Sequence, residues 1–199
     1  SAVEPSIAGP SRPHDRIPSP AALYAALGRS NSSGLDLSNE QRLASLSAAL
    51  LSSVKPVHAA ATHGAHLPVQ PVRNPAHVQD VIGEVRMATA AEVPTAMAQA
   101  RHAALIWQAT PVTARAQALS RAADLMQAQM QPLMALLCRE AGKTLPNAIA
   151  EVREAIDFLR YYARQAEQYL NNDSHRPLGV VVCISPWNFP LAIFTGQLA

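Results

Sequence analysis

The chain has 199 residues, of which 49% are hydrophobic, 15% charged and 5% aromatic. That length allows one large domain or two small ones, and the apolar share is enough for a core, which excludes wholesale disorder. A net charge of +2 and a composition that is about one-fifth Ala argue against the concentrated basic face of a dedicated nucleic-acid binder and for a helix-rich body, Ala being the strongest helix former.

In chain order, residues 1–22 carry Pro, Ser, Gly and charge without an apolar period and read as a flexible arm. Residues 23–54 read as a helical connector. A polar loop spans 29–34, Ser38 and Gln41 have capping-box spacing, and Leu43, Leu46 and Leu50 fall on one helical face. Residues 55–77, rich in Pro and His, read as a linker. Val78, Val81, Val85 and Met87 around Gly83 predict short strands. Thr89 and Glu92 form a second capping box, opening a helix through Ala100 and Trp107 that Pro111 stops. Thr113 caps the next helix, whose apolar stripe runs Leu119, Ala122, Leu125, Met126, Leu133, Leu136, Leu137. Pro132 should kink or split it, and Gly142 should end it as a left-handed cap. Pro146 suits the first turn of a further helix with Ala150, Ile156, Leu159 and Ala163 on its core side, reaching about Leu170.

The character then changes. Residues 180–184 are a short apolar run, rich in β-branched side chains and bounded by Gly179 and Pro186, as in a strand buried on both faces. A helix start follows at 191–199. Helices, then strand, loop and helix, predict an α/β fold whose sheet is only beginning. Ligands of open α/β sheets bind beyond the C-terminal ends of strands, and that position holds Ser185, Pro186, Trp187, Asn188, Phe189 and Pro190. Two prolines stiffen this loop, two aromatics supply flat walls, and Asn188 supplies one amide donor, the chemistry of an oxyanion hole. The same residues also suit a tight turn whose aromatics only pack.

The stretch PLGVVVCISPWNFPLAIFTGQLA resembles the hallmark segment of the NAD(P)-dependent aldehyde dehydrogenase superfamily. VRNPAHVQDVIGEVRMATAAEVPTAMAQA is similar to that family's early strands and first helix, and MALLCREAGKTLPNAIAEVREAIDFLRYYA to the helical segment after them. LYAALGRSNSSGLDLSNEQRLASLSAALL resembles the connector that precedes the L-glutamate γ-semialdehyde dehydrogenase half of bifunctional proline-catabolic enzymes. The resemblance covers about residues 23–199. It implies an α/β fold, the helix-rich N-terminal part of an aldehyde dehydrogenase, with only the first strand of the Rossmann-like NAD-binding sheet present in residues 78–199.

The implied activity is oxidation of L-glutamate γ-semialdehyde to L-glutamate with NAD, through a Cys thiolate and a Glu-activated water. FAD would belong only to a separate proline dehydrogenase domain. Asn188 matches the residue that hydrogen-bonds the aldehyde oxygen. Ile184, Ser185, Pro186 and Trp187 match the nicotinamide and ribose side of the NAD site, and Phe189 borders the aldehyde pocket. The family's nucleophile and general base match positions beyond this sequence, so the 199 residues alone are expected to be inactive. The alternative is a helical, self-associating interaction module without catalysis.

Cys138 and Cys183 are too few for a disulfide framework and suit a reducing cytoplasm. Each reads as a small buried hydrophobe rather than a nucleophile. No run of about 18 apolar residues predicts a membrane span. The first residues lack an initiator Met and a signal-type core and the last lack a polar tail, so the chain is expected to be cut at both ends. His58, His63, His66 and His77 are irregularly spaced and read as solvated, so no metal is expected. Lys143 reads as helix-end charge, Glu151, Arg153 and Glu154 as a solvated helix face, and Phe158, Tyr161 and Tyr162 as packing residues. Expected partners are a small aldehyde and a second copy of the chain, since an unpaired strand at 180–184 would expose an apolar edge. No nucleic acid is expected.

Overall fold

The computed structural model describes residues 6–8, 17–52, 57–60 and 68–199. The elements in order are β1 (Ser6–Ala8), β2 (Ile17–Pro18), α1 (Pro20–Ala26), α2 (Glu40–Ser52), β3 (Val57–Ala60), β4 (Gln70–Asn74), β5 (His77–Arg86), a 3-10 turn (Ala90–Glu92), α3 (Val93–Ala109), α4 (Val112–Ala128), α5 (Met130–Glu140), α6 (Leu145–Tyr169) and α7 (Ala192–Leu198).

The long helix α6 is the hub. It packs against α4, α5 and α7, and α2 packs on α5. Its buried stripe is Ala148, Ile149, Val152, Ala155, Ile156, Leu159 and Ala163. Met134, Leu137, Ala123 and Leu46 complete the core from the other helices. Ile156, Leu159 and Ala163 are therefore on the core side as expected, but Ala150 points outward. At 100° per residue the stripe through 148, 152, 155 and 159 leaves position 150 on the opposite face.

The helix ends follow local hydrogen bonding, with three adjustments. Asn39, rather than Ser38, caps α2: its Oδ1 accepts the Arg42 N–H at 3.0 Å, while the Ser38 hydroxyl donates back to Asp36 at 2.6 Å. Pro111, not Thr113, occupies the cap position of α4. The expected split of the long helix falls at Gln129, which places Pro132 in the first turn of α5, where a missing N–H costs no intrahelical bond. At the second capping box the Thr89 N–H and hydroxyl both donate to Glu92 Oε2, at 2.6 and 2.9 Å. Gly142 takes φ +65° and ends α5 as expected, the Lys143 N–H donating to the Leu137 carbonyl at 3.3 Å.

The small sheet has the order β3-β5-β4, with β3 parallel and β4 antiparallel to β5. Residues 77–86 form one continuous strand rather than short ones. Residues 57–60 and 70–74, within the stretch expected to be linker, are its partners. Pro71 hides the strand signal of β4, but β4 is an edge strand, where a proline is tolerated. Within the expected flexible arm, β1 pairs antiparallel with β2, and α1 begins at Pro20, its cap Ser19 accepting the Ala22 N–H at 3.3 Å. The remainder of that arm, residues 1–5 and 9–16, lies outside the described residues, as do His63 and His66.

One expectation fails locally. Residues 180–184 carry no ladder partner among the described residues, and Val181, Val182 and Ile184 are 67%, 68% and 81% exposed. An apolar run becomes a buried parallel strand only when neighbouring strands cover its edges. The described strands pair only among themselves, in the sheets β1-β2 and β3-β5-β4, and none pairs with 180–184. No helix among the described residues is long and apolar enough to cross a membrane.

Candidate active-site loop

The loop at 184–190 is tied down at both ends. At its start, Gln197 of α7 folds back: its Nε2 donates to the Ile184 carbonyl at 3.0 Å, and its Oε1 accepts the Ser185 hydroxyl at 2.7 Å. The Cys183 thiol also reaches the Gln197 carbonyl, at 3.6 Å. In the middle, the Phe189 N–H donates to the Pro186 carbonyl at 3.3 Å, closing a turn around Trp187 and Asn188.

At its far end the loop meets Glu151, which is 2% exposed. Glu151 Oε1 accepts the Leu191 N–H at 2.9 Å and the Ala192 N–H at 3.4 Å. Its Oε2 lies 2.9 Å from Lys143 Nζ. The same ammonium sits 4.6 Å from the centroid of the Phe189 ring, within cation–π range. Gly196 brings α7 close to α6, where an added Cβ would lie 3.0 Å from the Phe158 ring.

These anchors leave the tip of the loop outward. Asn188 is exposed, and its side-chain amide makes no hydrogen bond with any described residue. Trp187 is 85% exposed and borders an apolar cavity of about 530 Å³, lined also by Pro75, Leu133, Leu136 and Leu137. Of the residues before Asn188, Ile184 and Ser185 are tied to Gln197 and Trp187 borders the cavity, while Phe189 turns toward Lys143.

Two groups read otherwise from sequence, and a third given no reading there, gain contacts here. Glu151 is not on a solvated face, and Lys143 is more than a helix-end charge. The available signal was Glu151's place within the apolar stripe, three residues after Ala148 and four before Ala155. Gln197 carried no signal, because its role depends on how α7 folds back over the loop. The aromatic residues of α6 do pack: Phe158 stacks on Tyr162 at 6.1 Å, Tyr162 meets Tyr161 edge-on at 5.2 Å, and Arg29 lies 4.1 Å from the Tyr24 ring and 5.3 Å from the Tyr161 ring. Cys138 packs against the core, and burial pushes its thiol pKa up, the opposite of what a nucleophile needs. His58 pairs with Glu84 at 3.3 Å, and His77 opens β5.

Residues 62–199 match the aldehyde dehydrogenase family. The bifunctional protein PutA of Klebsiella aerogenes is 57% identical over 198 residues, covering 94% of this chain and 14% of that protein. The 1-pyrroline-5-carboxylate dehydrogenase of Geobacillus sp. (strain WCH70) is 41% identical over 135 residues, covering 62% of this chain and 26% of the enzyme. The structure of 1-pyrroline-5-carboxylate dehydrogenase from Thermus with bound NAD superposes with a TM-score of 0.69 at 29% identity, covering 84% of this chain and 36% of that one. The chain therefore spans only a small part of the length of the relatives it matches.

Proposed function

This chain belongs to the aldehyde dehydrogenase family, and from that membership we propose that it contributes the oxyanion-binding loop of an NAD-dependent enzyme oxidising L-glutamate γ-semialdehyde to L-glutamate. The observation that carries this reading is the exposed amide of Asn188, without a partner among the described residues, on a loop anchored at both ends. A thiolate adding to an aldehyde carbon drives an electron pair onto the carbonyl oxygen. Asn188 Nδ2–H donates to that oxygen as its charge develops, and a prearranged donor lowers the barrier because nothing need reorganise during the step. The relatives named for pyrroline-5-carboxylate support the choice of aldehyde, since hydrolysis of that ring yields the γ-semialdehyde.

Residues 184–187 suit one wall of the NAD site. Exposed Ile184 and Trp187 offer apolar surface for a flat ring, and Ser185 offers a hydroxyl beside it. When bound, NAD supplies the hydride acceptor. Phe189 borders the aldehyde side. In the same reading, residues 1–22 are an arm, 23–54 a connector from a preceding catalytic unit, and 78–199 the start of the dehydrogenase domain, with 55–77 joining them. A cytoplasmic location suits the two free thiols, Cys138 and Cys183.

The test is kinetic. In the full-length protein, Asn188→Ala lowers kcat for γ-semialdehyde oxidation by about 100-fold or more, while NAD affinity changes little. A wild-type kcat in that variant refutes the oxyanion role. The 199-residue chain alone, given γ-semialdehyde and NAD, forms no NADH. Turnover by that chain would show that it contains its own nucleophile and favour a different mechanism.

A further inference from the structure

We propose that the buried Glu151–Lys143 pair is the positioning device that holds Asn188 in place to donate to the aldehyde oxygen, an inference that rests on the oxyanion role given to Asn188 above. Burying a carboxylate is costly unless it is both paired and hydrogen-bonded. Glu151, 2% exposed, meets that cost with two kinds of partner, and both lead to the loop. Its Oε1 holds the backbone N–H groups of Leu191 and Ala192, and Leu191 is only three residues beyond Asn188. Its Oε2 faces Lys143 Nζ at 2.9 Å.

Lys143 couples the same charge to the neighbour of Asn188. Its side chain is 15% exposed, and its ammonium lies 4.6 Å from the Phe189 ring centroid. Its own position is set by the left-handed Gly142 before it and by the Thr144 cap of α6 after it, whose side chain accepts the Asn147 N–H at 3.4 Å. The rigid start of α6 thus reaches the loop by two routes, backbone N–H groups at 191–192 and the ring at 189. Gln197 fixes the opposite end at Ile184. With both ends held, the backbone that carries Asn188 is fixed at 184, 191 and 192, the framework on which a preorganised oxyanion donor stands.

A pair that acts through Asn188 loses its effect once Asn188 is gone, whereas a pair that merely supports the fold does not. The experiment is a double-mutant cycle in the full-length protein with Glu151→Gln, Asn188→Ala and their combination, reading kcat and both KM values. Glu151→Gln keeps an acceptor for the two N–H groups but removes the charge, and is expected to lower kcat about tenfold with KM for NAD unchanged. Combined with Asn188→Ala it lowers kcat no further than Asn188→Ala alone. Independent losses that multiply to about 1,000-fold, or a Glu151→Gln enzyme with wild-type kcat, overturn the positioning role. An Asn188→Ala enzyme with wild-type kcat instead overturns the oxyanion reading itself. Lys143→Met, which leaves the carboxylate and its two backbone bonds in place, runs the same cycle and decides the matter if Glu151→Gln does not fold: its loss of kcat must also vanish on the Asn188→Ala background.

Discussion

Gly83 marks the tightest backbone approach in the small sheet. A Cβ there would collide with the Val57 carbonyl oxygen and lie 2.9 Å from the Val57 nitrogen. Neither atom can yield without breaking the β3–β5 pairing, in which Val57 faces Gly83. Gly83→Ala is therefore expected to destabilise by about 1–3 kcal/mol, the usual range for overpacking, seen as a lower Tm in thermal unfolding. An unchanged Tm would show that β3 is not held there. From sequence, Gly83 is visible only as an interruption among valines, because the strand it touches is distant in the chain. Asn188 is legible for the opposite reason: the prolines, aromatics and amide that define it are contiguous. Glu151 lies between these cases. Its position in the apolar stripe can be read, but its partners at 143, 191 and 192 come together only in the folded chain.

Between elements, an ion pair joins α5 to β5. Arg139 Nε donates to Asp80 Oδ2 at 3.1 Å and Nη2 to Oδ1 at 2.5 Å, with the Asn74 amide adding a bond at 3.1 Å. The Arg139 guanidinium, then Asn74, holds the Asp80 carboxyl below the usual carboxylate range. A carboxyl whose folded pKa is lowered adds stability that is present above its unfolded value, near pH 4, and is lost as pH falls from there through the folded value. Asp80→Asn should thus have a lower Tm than wild type at neutral pH, and the gap should close as pH drops below about 4. A gap independent of pH would rule out the ionised pair as its source. The helices on either side are legible because a 3.6-residue period survives in Ile156, Leu159 and Ala163, and because the stop at Gly142 and the Thr89–Glu92 box are local. The strands at 57–60 and 70–74 are not legible, since segments of four and five residues, one of them carrying Pro71, acquire order only by pairing with β5.

Across the whole molecule, the helical body is packed while the segment leading into the candidate loop is not. Val181, Val182 and Ile184 are more than half exposed and have no ladder partner among the described residues. An apolar segment with unpaired N–H and C=O groups is a template for pairing with another chain. The 199-residue chain is therefore expected to self-associate through 180–184, with light-scattering mass rising with concentration. The mechanism can be separated from general stickiness, because Leu105, Ile106 and Trp107 of α3 are also exposed. Val182→Lys places on the segment the charge that natural edge strands use to block pairing, whereas Trp107→Lys removes apolar surface from α3 without touching it. Suppression of association by Val182→Lys and not by Trp107→Lys supports pairing at 180–184. The reverse pattern transfers the contact to α3, and a monomer for the unmodified chain at high concentration refutes self-association altogether.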